Sequence, residues 1–134
     1  MRAKLALLFA CAAGLAISAL PALAHHSFAA EYDANKPVDL KGTVTKVEWT
    51  NPHARFYLDV KDENGKVTNW NFELASPNVL SRNGWTRHSL KEGDVVEVQG
   101  AMAKDGSNLA NARSVTLADG RKVFAGSNTE ADKK

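Results

Sequence analysis

From Val38 onward, apolar and polar residues alternate along most of the chain, which is the pattern of half-buried strands. Val38, Leu40, Gly42 and Val44 share one parity against Asp39, Lys41 and Thr43. The phase then slips, and Val47 and Trp49 are the next apolar pair. A one-residue slip within a long strand predicts a β-bulge, and Gly42 offers a further bend point. Thr50-Asn51-Pro52-His53 interrupts the strand pattern, because proline cannot donate to a ladder and asparagine favours turns. Phe56, Leu58 and Val60 alternate next, and Asp62-Glu63-Asn64-Gly65 marks a hairpin turn. The returning strand sets Thr68, Trp70, Phe72 and Leu74 on one face and Asn69, Asn71 and Glu73 on the other.

One helix is signalled. Ser76 suits the N-cap, Pro77 the first helical position and Gly84 the stop, with Val79 and Leu80 as its buried side and Trp85 just beyond. Lys91-Glu92-Gly93-Asp94 turns into a strand over Val95 to Gly100. Lys104-Asp105-Gly106-Ser107 turns into another around Leu109, Ala112, Val115 and Leu117. Asp119-Gly120-Arg121 is a further turn, leading to a short strand or arm at Lys122-Val123-Phe124. Three strands, a short helix and two strands predict an all-β fold, a small five-stranded OB-like Greek-key barrel with the helix between strands three and four. A five-stranded sandwich is the alternative that pattern alone leaves open.

The N-terminal stretch has a different character. Arg2 and Lys4 precede an apolar run from Leu5 to Leu20, broken by Ser18; Pro21 follows, and Ala22 and Ala24 suit signal-peptidase cleavage. The expected organisation is a signal peptide over 1–24, an N-terminal arm over 25–37, the barrel over 38–124 and a flexible tail over 125–134. That implies export through the Sec route to the periplasm, with no stable membrane insertion after cleavage. The one cysteine, Cys11, lies inside the leader, so the mature chain has neither a disulfide nor a thiolate metal site. Of 17 Lys and Arg, Arg2 and Lys4 also leave with the leader, so 15 basic residues face 15 acidic ones. This balance argues against binding by phosphate neutralisation, and nucleic acid is not expected as a partner.

Cleavage after Ala24 makes His25 the first residue, followed by His26. A free α-amine and the imidazole of the same residue close a chelate ring, and another imidazole completes a nitrogen set for Cu(II). The arrangement resembles the histidine brace of exported copper proteins, among them lytic polysaccharide monooxygenases and periplasmic copper carriers. His53 sits in the turn between strands one and two, at the rim of the expected barrel, and completes the candidate metal set of His25, His26 and His53. His88 is read as a surface loop residue. Trp49 and Tyr57 are the aromatics best placed for exposed ligand contacts. No nucleophile elbow, phosphate loop or paired carboxylates stand out, so catalysis without a metal is not expected.

The pieces His25-His26-Ser27-Phe28, Asn51-Pro52-His53, Trp70 to Pro77, Asn83-Gly84-Trp85 and Lys91-Glu92-Gly93-Asp94 together resemble a family of small exported bacterial proteins catalogued as a domain of unknown function. The resemblance covers nearly all of the mature chain. It implies a periplasmic protein with an OB-like barrel and implies no activity. The functional expectation therefore rests on the residues: a copper-binding carrier, buffer or sensor, whose partners are the metal or a periplasmic protein. The alternatives are a metal-free ligand- or protein-binding domain and a small copper-dependent oxidase.

Overall fold

The computed structural model describes residues 28–126. The expected leader, the first residues of the arm and most of the tail lie outside the described residues. Two short helices and six strands follow in the order α1 (Phe28–Glu31), β1 (Tyr32–Glu48), β2 (Arg55–Lys61), β3 (Val67–Glu73), α2 (Pro77–Arg82), β4 (Val95–Ala103), β5 (Leu109–Thr116) and β6 (Lys122–Phe124).

All six strands join one sheet in the order β3-β2-β1-β4-β5-β6, and a parallel pairing of β3 with β5 closes the first five into a ring. That is the connectivity expected of an OB-like barrel, with α2 between β3 and β4. The five-stranded expectation needs one correction, because Lys122-Val123-Phe124 pairs antiparallel with β5 as a sixth strand. It is anchored from outside its own ladder. The Trp85 indole N–H donates to the Phe124 carbonyl at 2.7 Å, and the Ala75 N–H donates to the Ala125 carbonyl at 2.8 Å. The sequence pattern leaves this segment as a short strand or arm, and its pairing with β5 makes it a strand.

β1 begins at Tyr32 rather than at Val38, so residues 32–37 belong to the sheet. Its N-terminal part pairs with β4 and its C-terminal part with β2, which is how one strand serves two sides of a ring. Between Val44 and Lys46 the β1–β2 register shifts, where the phase slip predicts a bulge. At Gly42 the strands cross so closely that a Cβ would overlap the Asp59 carbonyl. The Asn64-Gly65 turn fixes the β2–β3 register, with Gly65 at φ 83°, and sets Lys61 opposite Val67 and Arg55 opposite Glu73.

The inward parity of each strand fills the ring with Val44, Phe56, Leu58, Phe72, Leu74, Val96, Val98 and Val115, all fully buried. Phe56 and Phe72 stack at 5.2 Å between centroids. Burying each such side chain contributes about 1.5–3 kcal/mol before entropy is counted. Leu80 of α2 plugs one end of the barrel, and the Ser76 hydroxyl caps that helix by accepting from the Val79 N–H at 3.4 Å. A second, smaller core lies apart from the first. Tyr32, Ala101 and Ala103 are buried together there, with Phe28 and Leu109 packed against them.

Candidate functional site

The turn from Trp49 to Ala54 carries His53, and its geometry follows from what flanks it. Ala54 is fully buried, donates to the Ala75 carbonyl at 3.1 Å and accepts from the Leu74 N–H at 2.8 Å. This pins the residue after His53 to the far end of β3. The His53 ring then lies beside that strand, with Nδ1 3.2 Å from the Leu74 carbonyl oxygen and 4.0 Å from Glu73 Oε1. A carbonyl can only accept, so the neutral ring carries its proton on Nδ1 and its lone pair on Nε2. The side chain is 38% exposed.

Glu73 is the buried charge of this end of the barrel. Its side chain is 8% exposed, and Oε2 pairs with Arg55 Nη2 at 2.5 Å. Arg55 also reaches Asn71 Oδ1 with Nη1 at 3.4 Å. Close to them is Tyr32, 2% exposed, whose hydroxyl is sealed from water and has no partner at hydrogen-bond distance among the described residues. Burial, and after it the Glu73 carboxylate, push the Tyr32 phenol well above the ordinary tyrosine range. Phe28 stacks on the Tyr32 ring at 5.5 Å between centroids. Tyr32, Arg55 and Glu73 had no place in the sequence-derived site. The hairpin turn would have paired Arg55 with Glu73, since register follows from the turn, but Tyr32 needed the early start of β1.

Other candidates fall elsewhere. Tyr57 is half-buried on the outer face of β2, with Lys46 Nζ 5.3 Å from its ring centroid and its hydroxyl donating to Glu48 Oε2 at 3.4 Å. Lys46 and Glu48 pair at 2.5 Å, and that bond holds the lysine above and the glutamate below their ordinary pKa values. Trp49 is half-buried and packs on the main core rather than standing free. His88 is exposed in the turn after α2, its N–H donating to Thr86 Oγ1 at 3.2 Å. His25 and His26 lie outside the described residues, so of the three expected ligands the structure locates His53. Among the described residues, no three His, Cys, Asp or Glu side chains converge as a set able to hold a metal ion. Among them also, no helix is long and apolar enough to cross a membrane.

Residues 12–112 match the model of a family described as being of unknown function, DUF6152. No curated protein matches the chain. Solved structures similar to it include two from different organisms. One is Rim1, described as a mitochondrial single-stranded DNA binding protein from S. cerevisiae, at 10% identity and TM-score 0.48, covering 61% of this chain and 92% of that one. The other is the N-terminal domain of the PriB protein from Thermoanaerobacter tencongensis, described as dimeric, at 19% identity and TM-score 0.42, covering 62% and 96%. The expectation that nucleic acid is not a partner is withdrawn: Rim1 is described as a single-stranded DNA binding protein, and the expectation rested on a charge tally alone. The physical flaw in the exclusion was to count charges without locating them. An equal tally of acids and bases does not say which face carries which.

Proposed function

The chain belongs to the DUF6152 family of unknown function, and from that premise we propose that it is an exported copper-binding module. In this reading the mature protein starts at His25 in the periplasm. The His25 amine and imidazole, His26 and His53 supply the nitrogen ligands, and the role is that of a carrier, buffer or sensor. The barrel is the rigid OB-like base that holds His53 still. No enzyme family is indicated by the comparisons, and the module acts by holding the ion rather than by turning over a substrate.

The observation that carries this reading is the hydrogen bond from His53 Nδ1 to the Leu74 carbonyl, 3.2 Å long, on a ring that is still partly open to solvent. A metal-binding histidine ordinarily donates its second ring N–H to a carbonyl or carboxylate, which fixes the tautomer and aims the other nitrogen outward. His53 meets that condition before any metal arrives. With no thiolate in the mature chain, a nitrogen-rich set favours Cu(II) over Zn(II) in the divalent affinity order.

The test is a copper titration with electron paramagnetic resonance on three proteins: residues 25–134, the same chain with an added N-terminal Met, and His53→Ala. The first should bind one Cu(II) with nitrogen-dominated ligation. The extension displaces the amine and the substitution removes an imidazole, so each should weaken binding and change the spectrum. Equal affinities and identical spectra across the three would refute the site and leave a metal-free binding domain as the reading.

A further inference from the structure

We propose that Asn64 is a site of spontaneous modification, its side-chain amide converted to an acid through attack by the Gly65 backbone nitrogen, while the fold spares the other Asn-Gly pair. The inference is independent of the copper reading. Asn-Gly occurs twice in the chain, at Asn64-Gly65 and Asn83-Gly84. Glycine after asparagine favours this reaction, because it has no Cβ to crowd the attacking nitrogen or to restrain the backbone. Both glycines also adopt positive φ, 83° and 88°. The two pairs are therefore alike in local chemistry, and their surroundings separate them.

Both asparagines are exposed, and both glycine N–H groups donate within their turns. Gly65 donates to the Asp62 carbonyl at 3.0 Å and Gly84 to the Ser81 carbonyl at 3.2 Å. The attacking nitrogens are similarly engaged, so the difference lies in the amide under attack. Asn83 closes α2. Its Nδ2 donates to the Val79 carbonyl at 2.9 Å, and its own N–H donates to the Leu80 carbonyl at 2.9 Å. That side chain is drawn back along the helix, away from Gly84, for as long as the cap is closed. The Asn64 amide has no partner at hydrogen-bond distance among the described residues, so nothing holds it off the Gly65 nitrogen. The backbone there is held instead, with Asp62 Oδ1 accepting from the Asn64 and Lys66 N–H groups, each at 2.9 Å. A Cβ at Gly65 would meet Lys61 Cε at 3.6 Å and nothing nearer, so the approach is open.

The two Asp-Gly pairs are open to a related ring closure, and both are held against it. Asp105 Oδ1 accepts from the Ser107 N–H at 2.9 Å and from its hydroxyl at 2.6 Å. Asp119 accepts from the Arg121 N–H at 2.9 Å and from Nε at 2.8 Å. These bonds keep both carboxyls below the ordinary aspartate range and therefore ionised, and a carboxylate offers the nitrogen no leaving group.

At Asn64 the reaction is a ring closure followed by hydrolysis. The Gly65 N–H gives its proton to solvent, the nitrogen bonds to Asn64 Cγ, and Nδ2 leaves as ammonia, which yields a five-membered imide. Water then opens the ring. Breaking the new bond gives aspartate, and breaking the original peptide bond gives isoaspartate, whose main chain runs through Cβ and Cγ. Either product adds a negative charge beside Asp62 and Glu63. Isoaspartate also lengthens the turn that fixes the β2–β3 register. The turn lies at the opposite end of β2 from His53, about 20 Å along the strand.

The test ages the folded protein in mildly alkaline buffer and follows both Asn-Gly peptides by mass spectrometry, with isoaspartate-specific methylation to identify the product. Asn64 should convert about tenfold faster than Asn83, the factor that one neutral hydrogen bond on the reacting amide is worth. Isoaspartate should be among the products. In urea, where both turns are lost, the two rates should converge. Asn64→Gln should keep its amide, because its longer side chain would have to close a larger ring. That variant should fold as the parent does, since the bond from residue 64 to Asp62 comes from the backbone. Equal rates in the folded protein, or an undiminished lead for Asn64 in urea, would overturn the role given to the fold. Aspartate without isoaspartate would overturn the imide route.

Discussion

At the scale of single residues, the most unusual group is the Tyr32 hydroxyl, which has no partner at hydrogen-bond distance among the described residues. Sealing a donor from water unpaired costs about 1–3 kcal/mol, and Tyr32 carries that cost inside a packed apolar cluster. Tyr32→Phe keeps the ring and its stacking on Phe28, so it should raise stability by about 1 kcal/mol, read as a higher urea midpoint with an unchanged slope. The same residue shapes the alkaline limb. Burial first, and then Glu73, raise its folded-state pKa above the unfolded value. The folded chain then holds a proton that the unfolded chain has released. This contribution is complete below about pH 10, the unfolded tyrosine value, and is lost as pH rises toward the folded one. The parent should therefore lose stability faster above that pH than Tyr32→Phe does, and parallel curves would show that the phenol is not sealed as described.

At the scale of elements, β1 does two jobs, and glycine makes both feasible. A Cβ at Gly42 would overlap the Asp59 carbonyl, and one at Gly100 the Asn111 carbonyl, so strand backbones there pass too closely for any side chain. Gly42→Ala should cost about 2–3 kcal/mol, in the range of overpacked cores, and a denaturation midpoint equal to the parent's would contradict the crossing. Ser76→Ala, by contrast, removes only a helix cap and should cost about 1 kcal/mol. These elements were legible because each had a local cause: alternation for β1 to β5, a proline and a serine for α2, Asn64-Gly65 for the hairpin. What was not legible had a non-local cause. Residues 32–37 show no alternation, and they join the sheet through Tyr32 and Pro37, which pair with Ala103 and Ala101 of β4 across a register shift. Glu73 reads as a solvent-facing strand residue until the arm and the β1–β2 turn cover it. Of the candidate site, His53 could be picked from its turn, whereas Tyr32 and Arg55 became visible only through the company they keep.

At the scale of the whole molecule, the sixth strand and the region around the His53 turn are one mechanical unit. Ala75 accepts from Ala54 and donates to Ala125, while Trp85 holds the Phe124 carbonyl. Trp85→Phe removes a donor that ties the segment after α2 to β6, at a net cost of about 1 kcal/mol. Amide exchange should rise in β6 and at Ala75 before it rises in β1 or β4, and a uniform rise across the barrel would contradict this coupling.

The closure of the ring also has a kinetic side. Neighbouring strands β1, β2 and β3 meet through short connections, but Asn71-Phe72-Glu73 meet Leu109-Ala110-Asn111 only by a parallel seam between segments far apart in the chain. The β1–β4 ladder spans a longer separation still, with Leu40 opposite Val98, but the ring can close at β3–β5 only after that ladder and the flanking antiparallel pairs have brought the two edges together. The seam should therefore form after the transition state for folding. A weakening change within it, such as Ala110→Gly, should speed unfolding and leave the folding rate nearly untouched. The lifetime of the closed barrel, and with it the time His53 stays beside Glu73, is then set by the last contact made and the first one lost.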